Sequence, residues 1–400
     1  EGQRVQRPCC SGGIAASFTH EQPGHAWEIS GGHGKTGPRS LIPVSVITGF
    51  LGSGKTTLLN RLLRDPGMAG AVVIINEFGE VGLDHLLVAT PNENTIVLSS
   101  GCICCTVRGD LVDTLRGLFA RRRKGEIPAF DRIVIETTGL ADPVPILQTV
   151  VIDEVLAPQL VLDSVVTLVD AVNGASQLAQ YAEAVKQVAV ADRLLITKTD
   201  LAAPAPVDAL RADLARINPA VQMHTVAHGE IAPESLFARG QDAAARRSEI
   251  ARWLAAPAVG LADNKRGDGD GAATNHDHRI QTFSIHLDEP VSAAGLTAWL
   301  TALTSLRGAK LLRVKGLLNV EGAPVVIHAV QTLIHEPQTL ENWPDEERRS
   351  RLVFITRDMP REAIEATLDV LRWQGASRQP RQMLDPQAYA KFRAAMEKFH

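Results

Sequence analysis

Eight residues, Gly49-Phe-Leu-Gly52-Ser53-Gly54-Lys55-Thr56, follow the spacing G-x-x-x-x-G-K-[ST], which suits a polyphosphate. Glycines let backbone N–H groups curl around phosphate oxygens, and the helix that follows adds its positive end. Lys55 is expected to meet the β- and γ-phosphates and the Thr56 hydroxyl to ligate Mg²⁺. The expected nucleotide-binding residues of this loop are Gly49, Gly52, Ser53, Gly54, Lys55, Thr56 and Thr57. A plain glycine-rich turn is the competing reading. The flanks favour the phosphate loop, because an apolar strand, Val44 to Thr48, precedes it and a helical stretch from Thr57 to Leu63 follows.

Hydrolysis needs further parts. Ile133-Val-Ile-Glu136 is an apolar run ending in an acid, with Gly139 three residues on. Glu136 is thereby a candidate second Mg²⁺ ligand and Gly139 a candidate sensor of the γ-phosphate. Lys55, Thr56, Glu136 and Gly139 form the expected catalytic set. A strand-end acid entering a turn is the rival reading. Thr197-Lys198-Thr199-Asp200 follows another apolar run and has the look of a base-reading loop. The Asp200 carboxylate would accept from N1 and N2 of guanine while the stem of Lys198 covers the ring. Adenine offers no such pair of donors, so GTP is favoured over ATP. Thr197 stands where such loops begin with asparagine, which leaves one hydrogen bond open. No arginine or glutamine stands beside these elements to complete the site, so intrinsic hydrolysis is expected to be slow.

Gly101-Cys102-Ile103-Cys104-Cys105 places three soft donors within four residues, suited to Zn²⁺ or Cu(I). A nearby helix start would favour the thiolates. Three ligands leave one tetrahedral position open, as a site that passes on its metal requires. Glu77, Glu80, Asp84 and His85, in the glycine-hinged segment Asn76 to His85, are candidates for a fourth ligand or a contact with Mg²⁺. Packing cysteines or a redox pair are the alternatives. Five cysteines, none beyond Cys105, do not make a disulfide framework, and a reducing compartment follows.

The elements that position these residues are legible in outline. The chain has 400 residues, 41 Lys plus Arg against 45 Asp plus Glu, and a net charge of −4. That balance argues against a nucleic-acid binder. No apolar run reaches a membrane span, and residues 1–40 show neither a signal peptide nor a hydrophobic period. They read as a disordered tail. His33-Gly-Lys-Thr36 within them lacks a preceding strand and runs into Gly37-Pro38, against a second phosphate loop. From residue 41, apolar runs at Val44–Thr48, Val72–Asn76, Thr95–Leu98, Arg132–Glu136, Val165–Val169, Arg193–Thr197 and Val221–Val226 alternate with helical patterns. This predicts an α/β domain with a doubly wound, mostly parallel sheet over 41–257. Polar, glycine-rich 258–279 reads as a linker. Residues 280–375 predict a smaller α+β domain with mostly antiparallel strands, closing on a helix face of Ile364, Leu368 and Leu371. Residues 376–400 read as a polar tail.

GFLGSGKTT, NEFGEVGLD, GCICC and ETTGLADP, in this order and spacing, resemble the CobW-like P-loop GTPases over about residues 42–375. The resemblance implies a GTPase domain, a linker and a CobW C-terminal domain. It implies a cytoplasmic metallochaperone with GTP as substrate, Mg²⁺ as cofactor, and zinc held by Cys102, Cys104 and Cys105 for delivery to a client metalloprotein. Nucleotide binding then falls on Gly52 to Thr57, Lys198 and Asp200. Relatives with histidine-rich linkers differ from this chain, which retains only His276 and His278 there. His328 and His335 read as structural. Two other readings stand beside the lead. One is a GTPase handling cobalt or iron for cobalamin synthesis or nitrile hydratase activation. The other is a regulatory switch without metal transfer. The oligomeric state is open.

Overall fold

Uninterrupted Val, Ile and Leu runs cannot present a polar face, so strands made from them must be covered on both sides. A computed structural model shows how; it describes residues 41–76, 87–88, 96–100, 107–237, 250, 280–308, 310–335 and 337–374. β1 (Ile42–Gly49) leads through the phosphate loop into α1 (Lys55–Leu62), followed by β2 (Ala71–Asn76), β3 (Leu87–Val88) and β4 (Ile96–Ser100). Then come α2 (Val107–Arg123), β5 (Arg132–Glu136), α3 (Val144–Ile152) and β6 (Leu160–Asp170). The half ends with α4 (Gly174–Gln180), α5 (Ala182–Ala189), β7 (Arg193–Thr197), α6 (Pro204–Ile217), β8 (Gln222–Val226) and α7 (Pro233–Leu236).

These strands form one sheet in the order β3-β4-β2-β5-β1-β6-β7-β8. Every pairing is parallel except β3 with β4. The sheet is doubly wound. Val44 and Val46 of β1 face a core shared with α2, α3, α5 and α6, while Ile47 faces the other side with Leu58, Leu59 and Leu62 of α1. The stripe Leu111, Leu115, Leu118 and Phe119 is buried as its spacing requires.

The second sheet comprises β9 (Ile280–Leu287), β10 (Leu311–Val320), β11 (Ala323–Val330), β12 (Leu333–Ile334), β13 (Gln338–Thr339) and β14 (Ser350–Arg357), all antiparallel. Its order is β12-β11-β10-β14-β9, with β13 on β11. α8 (Ala293–Arg307) follows β9 and packs Trp299, Leu300 and Leu303 onto one face, against Phe283, Val314, Ile327 and Phe354. Ser292 caps α8 through the N–H of Gly295. The spacing of Ile364, Leu368 and Leu371 predicts one closing helix. Instead a short α9 (Arg361–Glu365) breaks and a 3₁₀ turn covers Leu368–Arg372. The break sits at buried Thr367, whose hydroxyl donates to Ile364 O and accepts from Trp299 Nε1 at 2.9 Å.

The other face of this sheet lies on the first domain. A register shift between Leu311 and Arg313 turns both Leu312 and Arg313 that way. Leu312, Val330, Leu333 and Ile355 join the core containing α2, α3, α5 and α6. Polar residues share the seam: Thr282 Oγ1 donates to Ile217 O at 2.9 Å, and Arg313 Nη1 to Val190 O at 2.6 Å. Asp192, in the turn between α5 and β7, pairs with Arg313, and Lys315 Nζ lies 3.7 Å away. His328 Nε2 lies 3.8 Å from the same carboxylate, and the rings of His328 and His335 stack with centroids 4.1 Å apart. Both histidines are structural, as expected.

Burial, together with Arg313, holds His328 well below its ordinary pKa, and burial takes His335 from 6.5 to about 4. Arg313 and Lys315 overcome burial at Asp192, which stays far below the usual carboxylate range. The unfolded chain therefore takes up protons near pH 6.5 that the seam refuses. Stability is complete above that pH and falls as pH drops from 6.5 toward 4, by about 2 kcal/mol from His335 alone at pH 5. Urea unfolding at pH 7 and pH 5 checks this. A His335→Gln protein should lose clearly less stability over that interval; equal losses in both proteins would contradict the assignment.

Candidate functional site

The carboxyl edge of the first sheet gathers the loops after β1, β5, β6, β7 and β8, the position where open α/β sheets bind ligands. The phosphate loop bends as its glycines allow. Gly52 and Gly54 have φ of +73° and +94°. Gly49, at φ +143°, lies so close to β6 that a Cβ would stand 2.4 Å from Leu168 O. Lys55 is buried and donates from Nζ to Gly49 O at 2.8 Å and Phe50 O at 3.2 Å. Burial pushes its pKa down, and the Glu136 carboxylate opposes that shift. Ser53 Oγ is buried with no hydrogen-bond partner, an orphaned group inside the cradle. Thr56 and Thr57 are exposed at the start of α1.

β5 ends at Glu136, which is 5% exposed and close enough to influence Lys55. A threonine hydroxyl at the helix start and a carboxylate at the neighbouring strand end are hard oxygen donors, the set that Mg²⁺ takes. Beyond Glu136, Thr137 N donates to Ile47 O and Thr137 Oγ1 to Thr48 Oγ1 at 2.8 Å, which fastens the β5 loop to β1. Gly139 then crosses the phosphate loop so closely that a Cβ would lie 2.6 Å from Leu51 N. Only glycine fits that crossing.

The loop after β7, a candidate base reader from its sequence, is tied to the same place. Thr197 Oγ1 donates to Ser53 O at 2.7 Å, across 144 residues of chain. Lys198 adopts φ +57° and donates from Nζ to Asp170 Oδ2 at 2.8 Å. Asp200 follows in the next turn, with His228 Nε2 3.9 Å from Oδ2. His228 and Gly229, after β8, both have positive φ, and Gly229 lies against the start of α1, where a Cβ would be 3.1 Å from Thr57 O. Arg61 of α1 donates to His228 O and to Glu230.

Two residues of this edge escaped the sequence reading. Asp170 closes β6, 1% exposed, and accepts from Lys198, from Asn173 Nδ2, and from the N–H groups of Val172 and Asn173. Burial would raise its pKa, but these bonds hold it below the ordinary value. Its signal was an acid ending an apolar run, as Glu136 does. His228 is the second; its signal was a His-Gly pair directly after a strand.

The structure brings together the phosphate loop, Glu136, Gly139, Lys198 and Asp200. Cys102, Cys104, Cys105, Glu77 and Glu80 lie outside the described residues. In the chain, the cysteines fall between the last residue of β4 and the first of α2, Glu77 comes directly after β2, and Glu80 three residues further on. Among the described residues no group of three or more His, Cys, Asp and Glu could hold a metal ion, and no helix is long and apolar enough to cross a membrane.

Residues 43–225 match the CobW/HypB/UreG nucleotide-binding domain, and residues 280–372 match the cobalamin synthesis protein cobW C-terminal domain. The chain is 38% identical to the zinc chaperone YjiA of Escherichia coli over 333 residues, spanning 83% of this chain and 99% of that protein. It is 32% identical to the zinc chaperone CobW of Pseudomonas aeruginosa, over 81% of this chain and 89% of that one. The crystal structure of Zn(II)-bound YjiA GTPase from E. coli superposes with a TM-score of 0.61 at 34% identity, covering 83% of this chain and 99% of the other. A phosphate loop joined to a guanine-type loop, followed by a second antiparallel domain, and likeness along nearly the whole of these relatives lead to one conclusion: the chain belongs to the CobW family of P-loop GTPases.

Proposed function

We propose that this GTPase handles zinc, binding it at Cys102, Cys104 and Cys105 and passing it to a client metalloprotein, with GTP hydrolysis driving release. The observation that carries the nucleotide part is the bond from Thr197 to Ser53, which sets the base-reading loop against the phosphate loop at one sheet edge. Gly49, Gly52, Ser53, Gly54, Lys55, Thr56 and Thr57 cradle the phosphates, Thr56 and Glu136 hold Mg²⁺, and Lys198 and Asp200 read guanine. Bound Mg²⁺ supplies charge neutralisation at the phosphate oxygens. Lys55 orients those oxygens, and Gly139 reports on the γ-phosphate. Likeness to zinc chaperones over almost their full length supports zinc as the cargo. Glu77 or Glu80, which follow β2 as the cysteines follow β4, is the proposed link between metal and nucleotide, as a fourth ligand. A client protein is the partner, and the cytoplasm, where three neighbouring thiols stay reduced, is the proposed compartment.

A zinc titration against a chromophoric chelator, in GDP and in a non-hydrolysable GTP analogue, tests the cargo and its release together. Affinity should differ between the two states by about 5–150-fold, the usual span of such coupling. The Cys102, Cys104 and Cys105 to Ser triple variant should lose tight binding in both states and still bind GTP. Equal zinc affinity in both states would remove the release step, and tight binding by the triple variant would move the metal elsewhere.

A further inference from the structure

Helix α5 holds the loop that crosses the phosphate loop. Gln187 is 1% exposed and donates from Nε2 to Gly139 O and to Ala141 O, both at 3.1 Å. Its neighbour Lys186 pairs with Asp142, whose other oxygen accepts from Val144 N at the start of α3. Gln187 O accepts from Thr167 Oγ1 of β6, so the helix is itself anchored. Gln187 Oε1, by contrast, is buried with no hydrogen-bond partner. A methionine would fill the same space without that orphaned acceptor, so packing alone does not account for an amide here.

The far end of α5 is gripped by the C-terminal domain. Arg313 donates to Val190 O, one residue past the helix, and pairs with Asp192 two residues further on. Asn218 Nδ2 reaches Val188 O, Ala189 O and Ala191 O. A single helix of eight residues therefore connects the Gly139–Asp142 loop to the seam with the second domain.

We infer that Gln187 is a positioning residue for the Gly139–Ala141 loop, and that α5 carries the state of that loop to the Arg313–Asp192 junction of the C-terminal domain. The inference rests on the reading of Gly139 as the γ-phosphate sensor. Removing both amide donors frees two carbonyls next to the phosphate loop and blurs the position of Gly139. GDP does not reach that loop's target, so its binding is spared.

The test measures the affinities of the full chain for GDP and for a non-hydrolysable GTP analogue, with kcat and KM for GTP. Gln187→Met should lower analogue affinity about 10-fold and kcat by a similar factor, with GDP affinity kept within about twofold. Arg313→Met should shift the analogue-to-GDP ratio about fivefold in the wild-type background and not at all in the Gln187→Met background. If Arg313→Met does not fold, Lys315→Met weakens the same junction more gently. Gly139→Ala, whose Cβ presses on Leu51 of the phosphate loop, is the control for the underlying reading: GDP affinity should fall and analogue affinity fall further, so that the preference between the two nucleotides is lost. If Gly139→Ala still discriminates, that reading fails. If Gly139→Ala loses discrimination while Gln187→Met weakens both nucleotides equally or neither, Gln187 is a packing residue and the inference falls. Additive effects in the double variant would overturn the role of α5.

Discussion

A Lys55→Ala protein should fold, melt close to the wild type, and fail to bind GTP. The three outcomes come from one geometry. Lys55 Nζ donates to the carbonyls of Gly49 and Phe50, and its burial already works against its charge. Losing that charge relieves a desolvated ammonium but leaves the Gly49 and Phe50 carbonyls without their donor and Glu136 without its neighbouring cation, so the net change in thermal stability should be small. In the proposed function the same charge meets the β- and γ-phosphates, and removing a charge-assisted donor of this kind costs about 10²–10³-fold. Calorimetric titration with GTP and a thermal melt by circular dichroism measure both. Wild-type GTP affinity in this variant would show that the loop does not bind nucleotide in the manner described.

Exchanging Asp200 for asparagine should exchange the preferred base. In the proposed reading the carboxylate accepts two charge-assisted hydrogen bonds from guanine, each contributing about 1.5–3 kcal/mol. Asparagine offers one acceptor and one donor, so a donor of guanine then faces a donor. The loss of GTP affinity should be roughly 10²–10⁴-fold. Xanthine carries a carbonyl where guanine carries its amino group and accepts from the new amide, so XTP affinity should rise in the variant. Because Thr197 and Lys198 hold the loop through Ser53 and Asp170, the exchange leaves the loop in place. Competition binding with GTP, ATP and XTP reads the result. Unchanged preference for GTP would mean that Asp200 does not face the base.

How much of this was legible in the sequence follows from how local each interaction is. The phosphate loop, the strand-end acid Glu136 and the threonine-led base loop are runs of four to eight adjacent residues, and their chemistry shows in their order. The buried runs revealed the strands of the parallel sheet because nothing in them could face water. Partners far apart in the chain left no such mark. Nothing near Thr197 says that its hydroxyl will find Ser53, nor does the helix pattern of 182–189 say that Gln187 faces inward onto Gly139. The seam was hidden for another reason. Arg313 and Lys315 look like the polar positions of a half-exposed strand, and only a register shift and a facing carboxylate turn them into buried partners of Asp192. The broken closing helix belongs here too, since Thr367 reads as an ordinary helical residue until Trp299 claims its hydroxyl.

The sharing of one core between the two sheets also sets a timetable. Leu312, Val330, Leu333 and Ile355 complete the apolar layer over α2, α3, α5 and α6. On the ribosome they emerge roughly 90–130 residues after β8 has left the tunnel, which at about 5–20 residues per second is a delay of roughly 5–25 seconds. During that interval the nascent first domain shows water a surface that the finished protein keeps dry, and trigger-type holding chaperones have their opportunity there. The domain that binds nucleotide is thus the earlier one made and the later one finished.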